Sequence, residues 1–168
     1  MLDSAQLHRR LARVAAVVFD LDGVFTDGGL YLAADGQEMR RFNSRDGLGV
    51  KRLIDAGIKV ALISGRQSPI VARRMAELGV AEVHQGIHDK GPVFERTVAS
   101  LGVTEGRTAA VGDDLPDLAM LERAAVGIAP ADAAAAVRAA ADWVTEAGGG
   151  YGAVREIADT ILAARGAS

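Results

Sequence analysis

Short apolar runs closed by glycine, serine or aspartate alternate along this chain with longer segments whose apolar positions recur at helical spacing. The runs are Val14 to Phe19, Ile58 to Ser64, Glu82 to Gly86, Thr108 to Gly112 and Ala125 to Ala129. They are brief and mostly apolar without a polar alternation, which predicts strands buried on both faces. Between them, residues 68–79 carry Ser68 at an N-cap position, Pro69 in the first turn and Gly79 as the stop. Residues 90–102 end the same way at Gly102, residues 114–124 start with Asp114 as cap and Pro116 just inside, and residues 150–166 form a C-terminal helix. The alanine-rich segment 130–142 reads as a surface helix of high intrinsic propensity. Strands alternating with helices imply parallel crossovers, hence an α/β, Rossmann-like doubly wound parallel sheet without a separate cap domain.

One segment breaks the rhythm. After the first strand, where a helix is due, residues 28–43 offer two short strands joined at Asp35-Gly36, a pair suited to a tight hairpin turn. Tyr31, Met39 and Phe42 give this β-hairpin, residues 29–42, an apolar face that a lone hairpin cannot bury. The face either meets another subunit or packs on its own domain.

At 168 residues the chain suits a single domain spanning 1–168. A hydrophobic fraction of 49% drawn largely from Ala, Val and Leu, with 20 glycines, fits helices packed closely on a sheet. A net charge of −3 and only short basic pairs, Arg9-Arg10 and Arg40-Arg41, argue against a nucleic-acid surface; both pairs read as solvated faces. With no cysteine, disulfides, zinc thiolates and a thiol nucleophile are all excluded. No stretch has the length of a signal peptide or a membrane span, so a soluble cytoplasmic protein is expected.

In a parallel sheet, ligands gather at the carboxyl ends of the strands. The residues there are Asp20 and Asp22 after the first strand, Ser64, Gly65 and Arg66 after the second, His84 to Lys90 after the third, and Asp113, Asp114 and Asp117 after the fourth. An all-oxygen donor set suits Mg2+, with Asp20 and Asp113 as the natural pair. A carboxylate beside such a cation can attack phosphorus in line, and Asp20, at the strand end, is the most rigidly held candidate. Asp22 would protonate the leaving oxygen and later accept a proton from water, while Ser64 and Lys90 bind the non-bridging oxygens. Asp114 serves equally well as a helix cap or as metal support, Asp27 as a turn former, and His84 and His88 as residues shaping the pocket near Lys90. Trp143 and Tyr151 are packing residues, with Tyr151 also placed to line the site.

The four segments DLDGVFTDG, LISGR, HDKG and GDDLPD, in this order, resemble the four motifs of the haloacid dehalogenase superfamily of phosphohydrolases. The segments DGVFTDG, FNSRDGLGVKRL, SGRQSPIVARRMAELGV, HQGIHDKG and GGGYGAVREI are further similar to the capless subgroup that contains the 3-deoxy-D-manno-octulosonate 8-phosphate phosphatases, over residues 10–162. That resemblance implies a homotetramer in which the hairpin and neighbouring segments cover the active site. It also implies Asp20 as nucleophile and magnesium ligand, the backbone carbonyl of Asp22 and the carboxylate of Asp113 as further ligands, and Asp114 and Asp117 as supporting carboxylates. Thr26, Arg66 and the Arg45-Asp46-Gly47 stretch lie where the family binds or gates substrate.

The implied activity is hydrolysis of a phosphorylated sugar acid through an aspartyl-phosphate. The leading substrate is 3-deoxy-D-manno-octulosonate 8-phosphate, in lipopolysaccharide precursor synthesis. Two alternatives are a sialic-acid-type 9-phosphate and a non-catalytic oligomerisation or regulatory module like the domain attached to some acylneuraminate cytidylyltransferases. Tyr151 stands where the octulosonate phosphatases carry an arginine able to clamp a carboxylate, and tyrosine cannot replace that charge. The substrate question is thereby separate from that of hydrolysis. Dehalogenation is disfavoured, since it needs neither an acid at Asp22 nor magnesium.

Overall fold

The structure, a computed structural model, describes residues 1–166. Six parallel strands form one sheet in the order β5-β4-β1-β6-β7-β8, where β1 is Ala16–Phe19, β4 Lys59–Ile63, β5 Glu82–His84, β6 Thr108–Val111, β7 Val126–Ala129 and β8 Trp143–Val144. The two short strands β2 (Tyr31–Leu32) and β3 (Glu38–Met39) form a separate antiparallel hairpin.

Alternation along each strand builds two cores. Val17 and Phe19 point, with Val60, Leu62, Val111 and Ile128, toward α1 (Ser4–Leu11), α2 (Ser44–Asp55), α3 (Pro69–Leu78) and α7 (Ala153–Ala164). Ala16 and Val18 point the other way with Ala61 and Ile63. They meet α4 (Lys90–Ser100), α5 (Leu118–Arg123) and α6 (Ala135–Ala140) through Phe94, Met120 and Val137. The result is the expected three-layer α/β sandwich.

Register then positions the site. Phe19 is paired with Leu62 on one side and Val111 on the other, so β1 and β6 end level and β4 runs one residue further, to Ile63. The chain leaves β1 for β4 and β5, then returns to β6 on the opposite flank of β1. This reversal opens a crevice between the carboxyl ends of β1 and β6.

All five expected strands form, trimmed at their ends, although β5, at the sheet edge, is half-buried throughout rather than buried on both faces, and the structure adds a strand and two helices. β8 has two residues and follows the charged Asp142, leaving no run for a pattern to register. α2 carries Gly47 and Gly49, which lower its intrinsic propensity. A Cβ at position 49 would sit 3.0 Å from the Arg155 Cα, so the glycine permits α2 and α7 to pack tightly. α1 is opened by a capping box between Asp3 and Gln6. Ser68 occupies the N-cap position of α3, yet its buried hydroxyl has no partner among the described residues, and its N–H donates instead to Gln85 at 2.7 Å. Asp114 does cap, accepting from the Leu115 N–H at 2.8 Å, but the turn it opens is 3-10 before α5 begins.

The hairpin turns at Asp35-Gly36 with Gly36 at φ +84°, and its apolar face divides. Phe42 packs on the chain's own core, whereas Tyr31, Leu32 and Met39 are 47%, 72% and 64% exposed. No helix among the described residues is long and apolar enough to cross a membrane.

The loop before α7 leans on the turn after β1. The Gly150 N–H donates to the Val24 carbonyl at 3.0 Å, and a Cβ at position 149 would fall 1.9 Å from the Gly23 carbonyl oxygen. Asp46 of α2 fixes the start of α7 by accepting the Arg155 N–H at 2.9 Å. Gly149→Ala is therefore expected to lower stability by about 2 kcal/mol or more and to depress turnover by displacing the turn that follows β1. Thermal unfolding together with a phosphatase assay checks both effects.

Candidate active site

Lys90, the first residue of α4, is 4% exposed and reaches beneath the ends of β1 and β6. Its Nζ donates to Asp20 Oδ1 at 2.5 Å and to Asp117 Oδ1 at 2.6 Å. Asp117 is also buried, and its other oxygen accepts the N–H groups of Asp113 and Asp114 at 2.9 and 3.2 Å. The loop after β6 is thus wrapped around one carboxylate, which holds Asp113 beside Asp20. Gly23, at φ +85°, completes this packing: a Cβ there would lie 2.0 Å from Asp113 Oδ2, so no other residue fits.

These groups line a cleft of about 350 Å³ together with Asp22, Ser64, Gly65, Arg66 and Asp114. Ser64 is buried, with its Oγ accepting the Arg66 N–H at 3.3 Å. Lys90 uses two of its three donors on carboxylates, leaving one for an anion in the cleft.

Charge in the cluster is unbalanced. Burial, then the neighbouring Asp117 carboxylate, raises Asp20 to about 7 against the pull of Lys90. Burial, then Asp20, Asp117 and Asp114, raises Asp113 to about 8. Burial pulls Lys90 down, but Asp20 and Asp117 outweigh it and hold the ammonium above its ordinary value. Lys90 therefore orients Asp20, while burial and Asp117 still hold that carboxyl above the ordinary aspartate range. Once Asp20 and Asp113 are ionised, three carboxylates facing one ammonium leave two negative charges, the complement of a divalent cation.

Carboxylate oxygens of Asp20, Asp113 and Asp117 all lie within 4.8 Å of one another. This all-oxygen donor set fits a hard cation of the magnesium class. Since both oxygens of Asp117 are engaged in hydrogen bonds, Asp20 and Asp113 are the carboxylates free to ligate.

The sequence-predicted residues sort cleanly by position. Asp20, Asp22, Ser64, Gly65, Arg66, Lys90, Asp113, Asp114 and Asp117 converge on the cleft. Thr26 lies just behind it, buried and donating to Asp22 at 3.3 Å. Arg45 sits in the first turn of α2, exposed and outside the cleft of its own chain. His88 lines the cleft, whereas His84 turns to the sheet edge and contacts Glu82 at 3.0 Å. Tyr151 is 61% exposed and stacks under the Arg41 guanidinium, 4.4 Å from its ring centroid, away from the cleft.

One pair departs from the sequence reading. Arg40 is no solvated face: its side chain is 2% exposed and bonded to Asp22 and Glu38. Gly23 and Arg40, respectively packed against Asp113 and bonded to Asp22, are positions at the cleft that the residue pattern did not single out. The glycine directly after the D-x-D pair was a usable signal; nothing in the local sequence marks Arg40.

Residues 76–153 match the family model of haloacid dehalogenase-like hydrolases. The 3-deoxy-D-manno-octulosonate 8-phosphate phosphatase KdsC of Haemophilus influenzae is 42% identical over 162 residues, which cover 96% of this chain and 90% of that protein. Among solved structures, the 3-deoxy-D-manno-octulosonate 8-phosphate phosphatase of Yersinia pestis superposes with a TM-score of 0.94 at 36% identity, covering 96% of this chain and 87% of its own. The corresponding phosphatase of Moraxella catarrhalis, in complex with magnesium ion, phosphate ion and KDO, superposes with a TM-score of 0.95 at 35% identity and covers 97% and 94%. Identity of this extent, over a cleft built from the same four segments that first drew the resemblance, means that the chain belongs to the haloacid dehalogenase-like hydrolases, in the family of the 3-deoxy-D-manno-octulosonate 8-phosphate phosphatases, and is a phosphatase.

Proposed function

We propose that this phosphatase hydrolyses 3-deoxy-D-manno-octulosonate 8-phosphate, a step of lipopolysaccharide precursor synthesis, through an aspartyl-phosphate on Asp20. The observation that carries the mechanism is the Lys90 ammonium fixed between Asp20 and Asp117 at the floor of the cleft. The substrate comes from the names of the relatives and from the sugar acid bound in the Moraxella catarrhalis structure. Neither the sialic-acid-type reading nor the non-catalytic one draws support from these relatives.

In this mechanism the free donor of Lys90 and the hydroxyl of Ser64 bind non-bridging oxygens of the phosphate, where charge accumulates as it transfers. Arg66, exposed at the cleft mouth, faces the acidic body of the substrate. Asp20 attacks phosphorus and forms the acyl phosphate as the bond to the sugar oxygen breaks, and Asp22 gives that oxygen its proton. Asp22 next takes a proton from water, whose oxygen attacks phosphorus and releases phosphate, restoring Asp20. Asp20, Asp113 and the backbone carbonyl of Asp22 would hold Mg2+, which supplies positive charge to the phosphate oxygens and to the ionised nucleophile.

The exposed Tyr31, Leu32 and Met39 further support a homotetramer in which the hairpin of one subunit covers the cleft of another. Residues 1–168 are read as one domain, and its setting as cytoplasmic.

Asp20→Asn is expected to lower kcat on the octulosonate phosphate at least about a thousandfold with an unchanged circular dichroism spectrum. A panel of phosphorylated sugars, sialic-acid-type 9-phosphates included, should show the highest kcat/KM for the octulosonate; a variant retaining most of its turnover, or a different preferred sugar, would overturn that part of the reading. The metal is tested through pH. The folded metal-free chain keeps protons on Asp20 and Asp113 up to about 7 and about 8, whereas unfolded aspartates release theirs near about 4. The native state binds more protons over that interval, so its stability falls as pH rises through it. Saturating Mg2+ should therefore raise the unfolding temperature more at about pH 8 than at about pH 6, because fewer protons must be displaced. An equal rise at both, or none, would contradict the site.

A further inference from the structure

We propose that Arg40 is a positioning residue for the acid/base carboxyl of Asp22, so that the hairpin takes part in leaving-group protonation from within its own chain. The inference rests on the assignment of Asp22 as proton donor made above.

Arg40 follows β3 in a hairpin that is otherwise wet, with Leu32 and Met39 72% and 64% exposed. Its own side chain is 2% exposed. A guanidinium does not leave water without partners that replace the lost hydration, and Arg40 has two. Its Nε donates to Glu38 Oε1 at 2.6 Å, and its terminal nitrogen donates to Asp22 Oδ1. Thr26 donates its hydroxyl to the same Asp22 oxygen at 3.3 Å.

Both donors fall on Oδ1. Among the described residues, Oδ2 of Asp22 receives no hydrogen bond, and Asp22 lines the cleft. A carboxyl that must hand over a proton needs one oxygen held, to fix the plane and direction of the group, and the other left free for the reacting atom. Asp22 belongs to a turn, not a strand, and its side chain is 24% exposed, so nothing in the backbone locks its rotamer. Thr26 at 3.3 Å is a weak single tether. The planar fork of Arg40, itself pinned by Glu38, supplies the second tether and gives it direction.

Leaving-group chemistry separates this role from a structural one. A sugar alkoxide must be protonated as it departs, whereas p-nitrophenolate leaves without help. The ratio kcat/KM reports steps through the first P–O cleavage, so the later hydrolysis of the acyl phosphate does not enter. Arg40→Gln should lose at least about tenfold more kcat/KM on the sugar phosphate than on p-nitrophenyl phosphate, a fraction of the general-acid contribution. Glu38→Gln should show a smaller loss of the same selectivity, and Arg40→Lys, which keeps the charge but not the fork, should recover part of it.

Asp22→Asn is measured alongside and should show the full selective loss, about a hundredfold or more. If Asp22→Asn is selective while Arg40→Gln loses both substrates equally, the positioning role is overturned and the acid assignment stands. If Asp22→Asn itself is unselective, the acid assignment fails and the proposal falls with it. Should Arg40→Gln not fold, the selectivity of Glu38→Gln and Arg40→Lys decides the question in the same way.

Discussion

A single buried ammonium organises this molecule. Lys90 stands at the N-terminus of α4, a helix on one face of the sheet, and bonds carboxylates delivered by two different strand ends. Taking three charged side chains out of water is costly, and removing one partner would leave the others uncompensated. The ion triad therefore demands that β1, β6 and α4 keep their relative positions, which the level register of Phe19 and Val111 provides. With Asp113 beside the triad, three ionised carboxylates would face one ammonium, an excess of two negative charges that a divalent cation would balance.

A second, smaller charge arrangement sits beside the first. Asp22 is compensated by Arg40, which arrives from the hairpin, and Asp20 by Lys90, which arrives from α4. Two aspartates only two residues apart thus have separate cations and separate surroundings. Separate environments are how a pair of like carboxyl groups comes to hold different roles, one attacking and one transferring a proton. The hairpin consequently does more than present Tyr31, Leu32 and Met39 outward: its inner side supplies Arg40.

Much of this was legible before any coordinates. Four strands, β1, β4, β6 and β7, announced themselves because they are apolar on both faces, whereas β5 at the sheet edge is only half-buried; the carboxyl-terminal Asp20, Ser64 and Asp113 followed from the rule that open parallel sheets bind ligands at that edge. Glycine and proline punctuation marked α3 and the ends of α4. Other features, among them β8, α2 and Arg40, escaped for physical reasons. β8 is too short to carry a period, and α2 is weakened by the glycines that let it approach α7. Arg40 looked like half of a solvated basic pair because its partner Asp22 is eighteen residues away across a turn, a distance that no local pattern spans. Arg45 illustrates the converse: its segment resembles a substrate-binding motif, yet within one chain it caps no cleft, and its neighbour Asp46 serves to start α7.

The central claim is that Asp20, oriented by Lys90, attacks phosphorus itself and water acts second. The stereochemical course at phosphorus tests this most directly, since each in-line displacement inverts the centre. With a phosphorothioate substrate made chiral at phosphorus by sulfur and two oxygen isotopes, and water supplying the third isotope, the double displacement proposed here gives net retention of configuration in the thiophosphate released. Net inversion would mean a single direct attack by water, and would contradict the role assigned to Asp20.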